Sequence, residues 1–333
     1  MTITQFPLKS LALVASLLAA VPARAAEVEW KFYTYFAAND KPTELHRAFA
    51  DDVLKASNGR FKITVFSSGE LPYKAADVLR AVATEQVQMG DVALGFVAGD
   101  VPELNAFAMP FACTSMEKFY DKAAPAVAAD VDGVLSRKFK THALMQWVMP
   151  PQQLWLIKPV SGIDGLKNLK VRSWNREQAD VMKLLGGSGV TITPAEVVPA
   201  LQRGVVDGAF TAAVPALDWK FNELGKMGYM MNLTLAHQVM AVNEQAQAKL
   251  PADLRKLLID KAKEWTPKYR QSLIDADKTA RKTLAEKGVT LLEASSQDME
   301  KLRTVTRPMW SEWSEKNGPL AQRMLTVAAE ACR

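Results

Sequence analysis

The chain is poor in the groups on which most enzymes depend. Its 333 residues include only two cysteines and three histidines. His46, His142 and His237 lie far apart, and none has a neighbour at metal-ligand spacing. A G-x-S-x-G elbow, a glycine-rich phosphate loop and an H-E-x-x-H helix are all missing. Cys113 has no histidine near it in sequence, which disfavours a thiol nucleophile. Asp91 and Asp207 each precede a short strand, where an aspartate more often shapes a turn than completes an acid–base pair. These absences point to a binder rather than an enzyme, with no cofactor and no metal.

Charge of one sign is also scarce. The 41 Lys and Arg face 36 Asp and Glu, a net charge of +5. No basic block stands out, which weighs against nucleic acid as a partner. Long apolar runs are missing after the first residues. The run from Leu11 to Ala20 is too short to span a bilayer, follows Lys9, and precedes the small-residue site Ala23-Arg24-Ala25. Residues 1–25 therefore read as a signal peptide cleaved after Ala25, leaving an exported protein that does not span the membrane. An oxidising compartment permits a disulfide between Cys113 and Cys332. Whether they pair turns on a Cα separation below about 7 Å, which sequence does not provide.

What is present reads as alternating strands and helices. "EVEWKFYTYF" (27–36) opens as a strand, and "DKPTELHRAFADDVLKASNG" follows as a helix. "RFKITVFSSG", a helix over 73–90 and "DVALGFV" continue the alternation of an α/β domain with a mainly parallel sheet. The pattern then recurs. "LKNLKVRSW" is a strand, "NREQADVMKLLGG" a helix and "VTIT" a strand; "PAEVVPALQRG" is a helix with Thr193 and Glu196 as a capping box, and "VVDGAF" a strand. Residues 78–96 and 197–210 repeat one helix-to-strand design. This suggests two related lobes whose strand ends face a shared crevice, where open α/β sheets bind ligands. A helical stretch of more than 30 residues after Pro251, with Pro267 expected to kink it, is long enough to span both lobes. A further helix is expected over 296–315, carrying Trp310 and Trp313.

Within "LKVRSWN" (169–175), Arg172 interrupts an apolar strand, and arginine is seldom buried without a partner. The surrounding segment resembles the central signature of the substrate-binding proteins of tripartite ATP-independent periplasmic (TRAP) transporters. Glu196, Val197, Ala200, Leu201, Gly204, Val206, Asp207 and Gly208 fit the family's acidic "E-V-x-x-A-L-x-x-G-x-V-D-G" stretch in register. "SSGELPYKAADVLRAVATEQVQMGDVAL" and "VPELNAFAMPF" resemble its first lobe. The resemblance implies a two-lobed periplasmic-binding-protein fold of class II type, with paired hinge strands and a long helix bridging the lobes. Residues 26–149 and 238–277 would form lobe I, and residues 150–237 and 278–333 lobe II.

It also implies that Arg172 pairs with a ligand carboxylate, that the ligand passes to TRAP permease subunits, and that the protein works in the periplasm. Asn175 and Thr211, the latter just after Phe210, match polar ligand contacts of the family. Tyr35, Phe36, Gly95, Phe96 and Trp174 sit at strand ends and face either the crevice or the core. Sugar-acid binders of the family carry a second arginine upstream of the strand arginine. Here that place holds "PPQQLW", with Gln152 and no arginine. One arginine beside glutamine and aromatics favours a monocarboxylate such as an aromatic or 2-oxo acid. A ligand-presenting component of a periplasmic signalling system, or the receptor of an ATP-driven importer, are the alternative readings.

Overall fold

The computed structural model describes Thr2 and residues 26–333, so the expected signal peptide and its cleavage site lie outside the described residues. One sheet is built from β1 (Val28–Tyr33), β2 (Phe61–Phe66), β3 (Met89–Ala93), β4 (Thr141–Met149) and β10 (Ala236–Asn243), in the order β2-β1-β3-β10-β4. The other is built from β5 (Gln153–Leu156), β6 (Lys170–Ser173), β7 (Ser188–Thr191), β8 (Gly208–Thr211), β9 (Met227–Met230) and β11 (Thr290–Glu293), in the order β11-β9-β5-β8-β6-β7.

The two orders match: β2-β1-β3-β10-β4 corresponds to β7-β6-β8-β5-β9. In each sheet three neighbouring strands run parallel, and the fourth is antiparallel to both its neighbours. That antiparallel strand is the one arriving from the other lobe. β1 and β2 show the alternation expected of strands: Trp30, Phe61 and Ile63 point inward, while Lys31, Lys62 and Thr64 point to solvent. The inserted strands β5 and β10 are buried along their whole length, as strands covered on both faces should be.

Among the described residues, four passages of chain connect the lobes, the last of them at Arg307 between the helices Ser296–Thr306 and Pro308–Ala331. β4 runs into β5 through Pro150–Gln152, and β9 returns to β10 through residues 231–235. These two crossings pair: the Gln152 amide donates to the Thr234 carbonyl at 2.8 Å, and the Leu233 amide to the Gln152 carbonyl at 2.9 Å. The third passage is the 35-residue helix Ala252–Glu286, which continues through Pro267 without the break a proline can impose. It buries Leu258, Trp265, Tyr269 and Leu273 in the first lobe and Ala280 and Leu284 in the second.

Four sequence expectations need correction. The helix expected over 296–315 is two helices, Ser296–Thr306 and Pro308–Ala331, with Pro308 in the first turn of the second. That second helix packs Trp313, Ala321, Met324, Leu325 and Ala328 into the first lobe's core, and Cys332 is disulfide-bonded to Cys113 with the Cα atoms 5.1 Å apart. Residues 308–333 thus lie with lobe I rather than lobe II, because their apolar face and their covalent tether both belong there. Asp91 and Asp207 are not equivalent: Asp91 is fully buried within β3, whereas Asp207 is exposed and accepts from the Lys170 amide at 2.8 Å. The capping box at Thr193 is not formed; its hydroxyl instead meets the Glu196 carboxylate at 3.0 Å.

Candidate ligand-binding cleft

The carboxyl ends of the parallel strands of both sheets converge between the lobes. Strand period two places Val171 in the second lobe's core and turns Arg172 to the opposite face, toward the cleft. Arg172 is 3% exposed. Nε donates to the Ile192 carbonyl at 2.9 Å and Nη1 to the Phe210 carbonyl at 2.7 Å. Both carbonyls stand at the ends of flanking strands, so the sheet itself orients the fork. The Trp219 ring lies 5.7 Å from the guanidinium carbon.

Among the described residues, no carboxylate lies within 4 Å of Arg172, and Nη2 makes no hydrogen bond. Burial draws its pKa down to about 9, with the Tyr35 phenol opposing the shift, so the group keeps its charge at neutral pH. A buried cation without an anion is costly.

The first lobe answers with aromatic rings. Tyr35 stacks on Phe36 with centroids 4.4 Å apart, Phe96 meets Tyr35 edge-on at 5.3 Å, and Trp174 of the second lobe meets Phe96 at 5.6 Å. Gly95 is what lets the indole approach. A Cβ there would fall 2.2 Å from a Trp174 ring carbon, which no side chain could tolerate without movement. The Tyr35 hydroxyl donates to Gln238 at 2.9 Å, and burial raises its pKa well above the usual phenol value, so it stays protonated. The cleft holds about 440 Å³ of empty space, its mouth included.

Of the residues named from sequence, Arg172, Trp174, Thr211, Tyr35, Phe36, Phe96 and Gln152 come together on this lining. Gly95 lies directly behind it, under the indole. Two do not line it. Asn175 caps the helix Arg176–Leu184, accepting from the Gln178 amide at 2.9 Å, and its buried Nδ2 has no partner among the described residues. Phe210 sends its ring into the second lobe's core and contributes only its carbonyl, to Arg172.

Sequence reasoning missed Trp219, Gln238, Met149 and Asp40, which also line the cleft. A glutamine inside the apolar run "AHQVMAVN" was a usable signal for Gln238, because a polar residue in a doubly buried strand needs a reason to be there. Trp219 follows a short helix and carried no such mark. Asp40 accepts from the Ala37 amide at 2.9 Å, and burial raises its pKa. No group of His, Cys, Asp and Glu suited to holding a metal occurs among the described residues.

Two α/β lobes joined by paired crossings, with an unpaired cation and aromatic rings between them, define an extracellular solute receptor of the hinged two-lobe type. Residues 34–317 match the family of bacterial extracellular solute-binding proteins, family 7, and the chain belongs to that family, whose members serve TRAP transporters. Among relatives, it is 26% identical over 311 residues to the C4-dicarboxylate-binding periplasmic protein DctP of Rhodobacter capsulatus, covering 91% of each chain. Among solved structures, it resembles a TRAP solute-binding protein from an unidentified marine microbe, specific for pyroglutamate. That match has a TM-score of 0.84 and 25% identity, and covers 91% of this chain and 98% of the other. It also shares its fold with a marine metagenome TRAP protein specific for aromatic acid ligands, at a TM-score of 0.83 and 20% identity over 92% and 98% of the two chains. These are transport receptors rather than enzymes. No described helix is long and apolar enough to cross a membrane.

Proposed function

We propose that this receptor binds a small organic monocarboxylate, with an aromatic or 2-oxo acid favoured, through Arg172 in the inter-lobe cleft. It then hands the ligand to TRAP permease subunits, working in the periplasm after cleavage at Ala25. The observation that carries the reading is a buried guanidinium whose protein partners are all neutral. A planar fork held by two strand-end carbonyls accepts a carboxylate in a fixed orientation, which lysine would not reproduce. The opposite wall of Tyr35, Phe36, Phe96 and Trp174 suits a flat or apolar body. Gln152, whose amide donates to the Pro150 carbonyl at 3.2 Å, occupies the place where a second arginine would serve a more highly charged or sugar-acid ligand.

Calorimetric titration against a panel of pyroglutamate, aromatic acids, 2-oxo acids, C4-dicarboxylates, uronic acids and sialic acid tests the assignment. Tight binding is expected only within the pyroglutamate, aromatic-acid and 2-oxo-acid arms. Binding of uronic or sialic acids alone, or of dicarboxylates alone, would sink it.

A further inference from the structure

A second depression lies far from the cleft chemistry, between the helices Ser296–Thr306 and Pro308–Ala331 and the turn at Pro110-Phe111. It encloses about 1810 Å³ of open space. Arg303, Arg307 and Arg333 line it, and among the described residues none of the three has a carboxylate within 4 Å. Other exposed arginines, Arg47, Arg137, Arg203 and Arg255, also lack an ion pair, but among the described residues none of these four is stacked on an aromatic ring beside a second unpaired arginine. Two of the groove's cations are held in place by rings instead: Arg303 lies 4.7 Å from the Phe111 centroid and Arg307 4.3 Å from that of Trp310. The Trp310 indole is in turn anchored on the Pro110 carbonyl at 2.9 Å. Stacking fixes a guanidinium without neutralising it, so the fork edge stays free to bind an anion. Glu330 is the one acidic side chain on the lining.

The walls of this groove belong to different lobes. The helix Ser296–Thr306 buries Leu302 in the second lobe's core, while the helix after Pro308 packs into the first. Between them, Phe111 donates its amide to the carbonyl of Leu233 in a hinge crossing at 2.8 Å. Any change in the angle between the lobes therefore alters the groove. We propose that this groove docks an acidic segment of a partner protein, and that its affinity for that segment follows the state of the cleft. A small anion is the poorer fit, because a ligand site normally encloses most of its ligand whereas this depression is about 1810 Å³ with open solvent included. Fixed, unpaired cations beside apolar rings complement an acidic chain, and charge complementarity chiefly sets register and encounter rate.

Fluorescence anisotropy with labelled hexaglutamate, against a hexaglutamine control, provides the test. Hexaglutamate should bind, weaken with added salt, and lose about tenfold or more in the Arg303→Glu/Arg307→Glu variant, while Lys62→Glu, on the exposed face of β2, leaves it within about twofold. The milder Arg303→Gln/Arg307→Gln pair, which adds no repulsion, should lose affinity in the same direction. Equal binding of both peptides, indifference to both double variants, or saturable binding of inorganic phosphate or phosphatidylglycerol vesicles in place of hexaglutamate overturns docking. Gly95→Val, which holds Trp174 off the first lobe, should change hexaglutamate affinity at least about threefold, and an unchanged value overturns the link to the hinge.

Discussion

The two lobes share a strand order but divide the work between them. The second supplies charge: Arg172 stands at the end of its β6, gripped by carbonyls of its own sheet. The first supplies surface: Tyr35 and Phe36 follow β1, the strand that corresponds to β6, and Phe96 follows β3. They also differ in depth. Beneath the aromatic wall, His46 bridges Tyr269 of the long helix at 2.6 Å and Asp91 at 3.1 Å, and Thr34 adds a second contact to that carboxylate at 3.1 Å. The second lobe has no counterpart, since Asp207 faces solvent and ties down only a backbone amide. The first lobe also carries the C-terminal helix and the disulfide. One architecture thus yields a braced platform on one side and a charged jaw on the other.

The sharpest way to break this division is Arg172→Ala. Carboxylate affinity should fall by about 2–5 kcal/mol in calorimetry, because the ligand anion would be left in a closed cleft without its cation. Arg172→Lys should recover only part of the loss, since an ammonium keeps the charge but not the fork. If the Ala variant binds normally with its fold intact, the charge does not reside in the second lobe.

The brace is probed next by Cys113→Ser/Cys332→Ser. The bond closes a long loop, with a sequence separation of 219 residues, so its removal should destabilise the first lobe by about 2–5 kcal/mol in denaturant melts. Ligand affinity should stay near wild type, because neither cysteine lines the cleft. A large change in affinity with little change in stability would reverse the roles assigned here.

Gly95→Val tests the seam between the lobes. Any Cβ there meets the Trp174 indole, so the variant should bind ligand about tenfold more weakly, roughly 1.4 kcal/mol, with its melting temperature little changed. Small-angle scattering should show a more open particle in the presence of ligand.

The last effect concerns acid and is small at neutral pH. His237 in β10 is buried between the Phe107 and Phe119 rings, and desolvation lowers its pKa from 6.5 to about 3. The unfolded chain therefore binds a proton that the folded one refuses. Stability falls as the pH drops below about 6.5, and this loss is complete near pH 3. Stability curves of His237→Gln should be flatter than wild type across that window, and parallel curves would exclude this source.

Much of this was legible in the residues, for a physical reason. Period-two and helical patterns along β1, β2 and the helix Lys41–Ala56 reflect one-sided burial, which composition records directly. Arg172 was conspicuous because a strand rarely hides a cation. Contacts set by the meeting of distant segments left weaker marks. Nothing local in Trp219 shows that its ring will sit by a guanidinium, and Asn175 looks the same whether it caps a helix or touches a ligand. The lobe membership of residues 308–333 was misjudged because sequence order is a poor guide where the chain doubles back.

That doubling back has a consequence for how the chain comes into being. β10 lies between β3 and β4 in the finished sheet, yet it follows β3 by more than a hundred residues. A chain emerging from its amino end would carry β3 and β4 with open edges until residues 236–243 appear. Pairings this remote fold slowly and leave edges that can pair wrongly in the interval. Nascent receptor is therefore at its most vulnerable to aggregation late in its emergence, just before the strand that closes the first sheet arrives.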